Sequence, residues 1–496
     1  MALPRLIGCL LACAAIGCPR APSDSAAAPR GDRPPRLQYR VAVDLDGGGL
    51  RTELCFPDGS PHQVGPVIDG GSDLLRWAVG PGGRPLARDQ NARLLPDAGA
   101  PGCIQYSVDL DLARRTSRHV GRYGSDLAAS SGLWLWRPEP LHPKTQATVR
   151  FEAPEGVRVL TPWPRAGGVH RLDPTALRRH AYVAFGRFPL RTIRVHGVDL
   201  TYARLGDATD DPSDETVRRW LGSAVDAVAR VHGRFPAERM GVVIRPAPPG
   251  SDPVASGMVQ RGGGISMTLL LRSGAERDEL VRDWVAVHEM CHLLIPSLAR
   301  RDAWLSEGLA TYYQNVARAR AGLISPLEAW REMEAGFERG RRGGTGRPLR
   351  DESARMHRTF AFRRVYWAGT AFALEADLTL RTTHGTSLDA VLAELAVPDG
   401  GRHRVWSAEE LLAKMDAVAG TRAISELAER YLQRSDFPDT DALFQRVGLA
   451  RDPSGDLVPD EGAPRTDLRR GIMRGPPPGT ESLVESGATE LSAFER

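Results

Sequence analysis

The sequence predicts a multidomain α+β protein, with a β-sandwich-like N-terminal domain, a mixed middle domain and a helical C-terminal region. Three observations carry this. The chain of 496 residues exceeds the roughly 250 to 300 residues that one hydrophobic core organises. Ahead of residue 205 apolar residues alternate strictly over several segments, the mark of half-buried strands. From Asp214 they recur instead every three or four residues, the mark of amphipathic helices. Hydrophobic content of 42% and charged content of 25% are ordinary for a soluble globular protein. Beyond the N-terminus no segment approaches the ~20 apolar residues that span a bilayer, which argues against a polytopic membrane protein. The net charge of +4 is small and the arginines are scattered among acidic residues, so nucleic acid is not an expected partner.

Residues 1–18 read as a secretory signal, with Arg5, an apolar stretch over 6–16 and small residues before a cysteine. Ala15-Ile16-Gly17-Cys18 resembles the lipobox of bacterial lipoproteins, which makes Cys18 the candidate lipidation site. Leu10-Leu11-Ala12-Cys13 is a competing match, and cleavage without lipidation is the alternative. Either way the expectation is export, to a bacterial cell envelope through an N-terminal lipid anchor or as a secreted protein. In an oxidising compartment Cys55 and Cys103 could form a disulfide, while Cys291 reads as a small buried packing residue. Residues 19–36, rich in Ala, Pro, Ser, Arg and Asp, suit a flexible linker.

The β-rich domain is expected over 37–205. Leu37, Tyr39, Val41, Val43 and Leu45 share one face, as do Ile104, Tyr106, Val108 and Leu110, and short apolar runs at 133–136, 157–160, 182–185 and 193–195 are set off by Gly and Pro. A second domain is expected over 206–324. Val217, Leu221, Ala224, Val228 and Val231 lie at helical spacing before Gly233 and Pro236, a strand covers 242–244, and residues 262–264 are three glycines leading into a strand through Ile265, Met267, Leu269 and Leu271. That strand resembles a substrate-lining edge strand; an ordinary hairpin turn is the blander reading of the glycines. Ser325-Pro326-Leu327-Glu328 marks a helix start, and a helical domain is expected over 325–450, interrupted by a mobile Gly- and Arg-rich loop over 339–350. Residues 451–496, rich in Pro, Gly and acidic groups, read as a disordered tail.

His288-Glu289-Met290-Cys291-His292 carries the chemistry. Leu280, Trp284, Val287, Cys291 and Leu294 form an apolar face, Ser273 and Glu276 offer a capping box, and Pro296 ends the run, so the motif belongs on a helix. Residues four apart sit one turn above each other, so His288 and His292 can aim both imidazoles at one ion while Glu289 points alongside it. A hydrolytic zinc site needs about three protein ligands and one open position. Trp304-Leu305-Ser306-Glu307-Gly308-Leu309-Ala310 supplies the third on a second helical pattern, with fourteen residues between His292 and Glu307. One Zn2+ per chain is the expected cofactor, held by His288, His292 and Glu307, with Glu289 as general base.

WLSEGLATYY following HEMCH resembles the gluzincin metallopeptidases, and among them the glycyl aminopeptidase-like and aminopeptidase N-like families. The resemblance spans about residues 210–435 and implies a thermolysin-like catalytic domain. Downstream, Tyr366-Trp367-Ala368-Gly369 looks like the region of the catalytic tyrosine in the glycyl aminopeptidase-like family, which implies that Tyr366 stabilises the oxyanion. There are departures. The stretch between His292 and Glu307 is shorter than in aminopeptidase N relatives, and residues 262–267 lack the glutamate with which those relatives hold a free amine. The implied activity is hydrolysis of peptide bonds in a peptide or protein substrate, with the choice between exo- and endopeptidase open. Two other readings stand beside it. A zinc-binding, non-catalytic envelope scaffold would have no need of Glu289, and structural zinc is usually closed by four ligands; a zinc hydrolase of a non-peptide substrate would keep the whole site.

Overall fold

The computed structural model describes residues 34–117, 119–206, 210–395 and 404–475. Cys18 and the expected signal segment lie outside the described residues. The N-terminal half contributes β1 (Arg36–Asp44), β2 (Gly49–Phe56), β3 (Leu75–Val79), β4 (Gly102–Asp109), β5 (Asp126–Ser130), β6 (Gln146–Glu152), β7 (Arg158–Leu160), β8 (Val169–Leu172) and β9 (Tyr182–Gly186). A first sheet runs β8-β6-β1-β2-β4-β3, with the short strand Arg165–Ala166 beyond β8; a second runs β7-β9-β5, with Val120–Tyr123 beyond β5. Alternation in β1 does what its pattern demands: Leu37, Tyr39, Val41, Val43 and Leu45 are all buried, while the residues between them face outward. Cys55 and Cys103 sit opposite each other in the β2–β4 register and are joined by a disulfide.

The second sheet is covered on both faces. Leu127, Ala129, Val183 and Phe185 join the core of the first sheet, whereas Ala128, Tyr182 and Ala184 pack with Leu160 against Ala203 and Val243 of the next layer. Strand β9 is therefore an unbroken apolar run, as expected for a strand with no solvated face. The run at 133–136 is no strand. Residues Ser131–Trp134 form a single helical turn whose large side chains are buried all round, a setting in which periodicity does not separate helix from strand.

A five-stranded sheet follows, made of β10 (Arg191–Val195), β11 (Val198–Arg204), β12 (Arg239–Pro246), β13 (Val254–Arg261) and β14 (Ile265–Leu271), in the order β10-β11-β12-β14-β13. Strands β10 and β11 precede residue 205, yet they pair into this sheet and not into the N-terminal ones. Helix α1 (Asp214–His232) crosses between β11 and β12. Ser213 caps its start, Gly233 in the left-handed region ends it, and Val217, Leu221, Ala224, Val228 and Val231 are buried in one core with Val242, Ile244, Met267 and Leu269. Residues 262–264 turn the antiparallel β13–β14 hairpin, and the edge strand is β13, not β14.

Helices complete the molecule: α2 (Arg277–Arg282), α3 (Val285–Cys291), α4 (Ala303–Arg320), α5 (Pro326–Arg342), α6 (Leu349–Thr359), α7 (Phe362–Thr383), α8 (Leu388–Glu394), α9 (Ala408–Ala419), α10 (Ala423–Gln433) and α11 (Thr440–Arg446). The loop expected over 339–350 shrinks to 343–348, because the last turn of α5 and the first of α6 claim its ends. The tail expected over 451–496 begins in fact with structure. Strands β15 (Leu449–Arg451) and β16 (Leu457–Pro459) pair as a hairpin, and α12 (Thr466–Arg474) buries Ile472 and Met473. Arg320 of α4 fastens this helix by donating to the Ile472 carbonyl at 2.9 Å. Two apolar side chains in a polar segment were too weak a periodic signal to read as an element. Among the described residues no helix is long and apolar enough to cross a membrane.

Candidate metal centre

Local sequence breaks the metal helix where one continuous run is expected. The capping box falls on Glu276 and Glu279, not on Ser273, and opens only the six residues of α2. Asp283 then turns extended, and its Oδ1 accepts the Val285 amide at 2.7 Å to start α3. Trp284, expected on the buried face, is 46% exposed and stands edge-on to His288 with ring centroids 5.7 Å apart. His288 and His292 occupy successive turns, the second in a 3-10 turn that continues α3.

Helix α4 brings Glu307 against both. Its Oε2 lies 3.3 Å from His288 Nε2 and 3.4 Å from His292 Nε2. Ligands about 2.0–2.1 Å from one tetrahedral ion are roughly 3.4 Å apart, so Glu307 stands at ligand spacing from both imidazole nitrogens. The other ring nitrogens are occupied. His288 Nδ1 is 2.8 Å from Gln314 Oε1, and His292 Nδ1 is 3.3 Å from Ser306 Oγ. With a carboxamide oxygen at Nδ1, His288 carries its proton there and presents a lone pair at Nε2, the form a metal binds. Burial works against the Glu307 carboxylate, but His292 and His288 hold it well below its usual range. Burial also works against the His292 imidazolium, and Glu307 outweighs it and raises that group. The donor set thus fits Zn2+.

Two close backbone approaches shape the rest. At Gly257 of β13 a Cβ would lie 2.5 Å from Glu289 Cγ; its absence lets the edge strand meet α3, where the Val259 amide donates to Glu289 Oε2 at 2.9 Å. At Gly369 of α7 a Cβ would lie 1.9 Å from the Trp304 carbonyl and 2.8 Å from Gly308 Cα. That contact draws α7 onto α4 beside Glu307 and sets Tyr366 over the centre. The Tyr366 ring stacks on His288, centroids 6.1 Å apart and planes within 7°. Burial first, then the charge of Glu307 and a hydrogen bond to it, raise its phenol far above the ordinary value, so it is a proton donor. Cys291 is buried, and burial raises its thiol, in keeping with a packing role.

The chain has the fold of the M1 zinc metallopeptidases. An aminopeptidase N family protein from Idiomarina loihiensis superposes with a TM-score of 0.66 at 15% identity, over 83% of this chain and 78% of that one. An M1 zinc metallopeptidase from Deinococcus radiodurans gives 0.51 at 16%, over 82% and 94%. No protein-family profile and no curated protein matches the chain. Gln314, Ser306, Gly257 and Val259 are site residues that sequence reasoning did not single out. Only Gln314 left a signal: it follows Glu307 by two helical turns and so lies on the same face.

Proposed function

We propose that this chain is an exported zinc metallopeptidase that hydrolyses peptide bonds. The observation that carries the reading is the approach of Glu307 Oε2 to His288 Nε2 and His292 Nε2 at ligand spacing, with a further carboxylate, Glu289, one residue along the helix from His288. When bound, zinc supplies Lewis acidity to a water and to the scissile carbonyl. Glu289 is tethered at Oε2 by the Val259 amide, so its other oxygen is the one left to take the water proton. It then delivers that proton to the leaving amine as the C–N bond breaks. Tyr366 donates its phenol proton in a hydrogen bond to the oxyanion formed at the carbonyl carbon. Export and lipid anchoring at Cys18 belong to the same reading and are supported by the N-terminal residues alone.

The test is zinc content and cleavage of an unstructured peptide library, measured on the same samples of wild type, Glu289→Gln and Glu307→Ala. We expect one zinc per chain in wild type and Glu289→Gln, with cleavage reduced by about 10²- to 10⁴-fold or more in the latter, and loss of the metal in Glu307→Ala. Full activity in Glu289→Gln would sink the assignment. Stoichiometric zinc without cleavage by the wild type would favour a binding scaffold or a non-peptide substrate.

A further inference from the structure

We propose that Arg179 and Arg261 form a carboxylate-binding site beside the metal centre that takes an anionic group of the substrate, either an acidic side chain or a C-terminal carboxylate. This rests on the peptidase reading. Strand β13 ends at Arg261, two residues beyond the Val259 amide that holds Glu289. Arg261 is 9% exposed. One terminal nitrogen donates to the His292 and Ile295 carbonyls at the end of the metal helix, while its Nε is buried without an acceptor. Arg179 follows the helical turn Pro174–Arg178, and its Nη2 is likewise buried without an acceptor. Tight packing brings the two segments together: a Cβ on Gly262 would lie 2.3 Å from the His180 carbonyl carbon and 2.5 Å from the Ala181 nitrogen.

Neither guanidinium has a carboxylate partner among the described residues, and Arg179 is the charged neighbour that acts on Arg261. The polar neighbours bring no negative charge. His180 is driven to about 4 by burial and by His119, and its Nδ1 lies 3.3 Å from Gln260 Nε2. The other buried arginines in the fold are all paired: Arg318 with Glu332 at 2.6 Å, Arg320 with Asp389 at 2.8 Å, Arg364 with Glu352 at 3.3 Å and Arg469 with Glu461 at 2.6 Å. A buried guanidinium beside a half-buried one, without a counter-ion, is unfavourable unless an anion joins them, and planar guanidinium groups suit a carboxylate. From Val259 to Arg261 an extended strand rises roughly 6.6 Å. The anionic group would therefore lie about two residues from the bond attacked.

The test uses the full chain with Glu289→Gln, zinc-loaded, so that binding is read without turnover. Labelled decapeptides are compared in pairs, Glu against Gln at each position in turn and C-terminal acid against amide, with dissociation constants taken from fluorescence anisotropy. We expect one acid of the series to bind about 10-fold or more tightly than its amide partner. Adding Arg179→Gln should abolish that preference, and Arg179→Lys should restore part of it. The position at which the preference falls separates a side-chain carboxylate from the C-terminus. Acid and amide binding within about twofold throughout, or a preference untouched by Arg179→Gln, would overturn the site while leaving the peptidase reading intact. Failure of every peptide to bind would instead sink the peptidase reading and the substrate role with it. Among the described residues Arg179 makes no side-chain hydrogen bond or ion pair, and the unfolding midpoint of Arg179→Gln checks that folding does not depend on it.

Discussion

At the scale of single residues, the centre is a set of candidate ligands whose second atoms are also committed. Gln314 fixes the tautomer of His288, and truncating it should free the ring to turn. Gln314→Ala is expected to weaken zinc binding about 10- to 100-fold, measured by competition with a chromogenic chelator, with the fold unchanged by circular dichroism. Asp283, at the break before α3, offers a pH signature. Burial raises its carboxyl from an ordinary 3.8 to about 7, against the opposing effects of the Val285 amide and Arg318. Between those values the folded chain holds a proton that the unfolded chain has released. Stability therefore falls as pH rises from about 4 to about 7. Asp283→Asn, which keeps the acceptor for Val285, should flatten the unfolding midpoint across that window. A slope unchanged in the variant would count against this account. The candidate ligands were legible in the sequence because helical spacing alone aligns His288 with His292. Trp284 was misread because the same spacing holds only while the helix is continuous, and Asp283 interrupts it.

At the scale of elements, the distance between helices decides the chemistry. Glycines 308 and 369 let α4 and α7 touch backbone to backbone, which carries Tyr366 over His288. A methyl at Gly369 must push the helices apart. Gly369→Ala is expected to destabilise the fold by about 1–3 kcal/mol, seen in chemical denaturation, and to lower hydrolysis more than zinc affinity, since Tyr366 moves while the ligands on α3 and α4 stay. Further along the same pair, Tyr312 donates to Asp377 at 2.7 Å, Arg381 reaches both Asp377 and Asp389, and Arg320 pairs with Asp389 at 2.8 Å. This buried network ties α4, α7 and α8 so that their register is held where the site needs it. Periodicity announced the helices but not their separation, because a glycine on a helix face looks the same whether it meets a neighbouring backbone or solvent.

At the scale of the whole molecule, three β layers lead into the centre, and the Cys55–Cys103 bridge locks the outermost one. Replacing both cysteines by serine removes a cross-link spanning 48 residues and should lower stability by about 2–4 kcal/mol. Zinc content should not change, because the bridge lies in a sheet that contributes no ligand. Denaturation of the double variant beside the oxidised wild type, with the zinc content of both, checks the two statements, and equal midpoints would show that the bridge is dispensable. The expected boundary near 205 falls inside the sheet that carries the site. Strands β10 and β11 have the same alternation as those before them, and only their partner, β12, assigns them to the later layer.

The sequence by itself determined the candidate metal ligands, the proposed general base, the β-first and helix-last order and the start and stop of α1, since each follows from spacing and local hydrogen bonding. Tertiary structure alone decided which strand forms the edge beside Glu289, which atoms hold the histidine rings, that Tyr366 faces the centre, that the C-terminal segment folds back onto Arg320, and that the segment after Arg179 packs against the end of the strand that carries Arg261. These depend on contacts between residues far apart in the chain, where a side chain's role is set by the surface it meets and no local pattern records it.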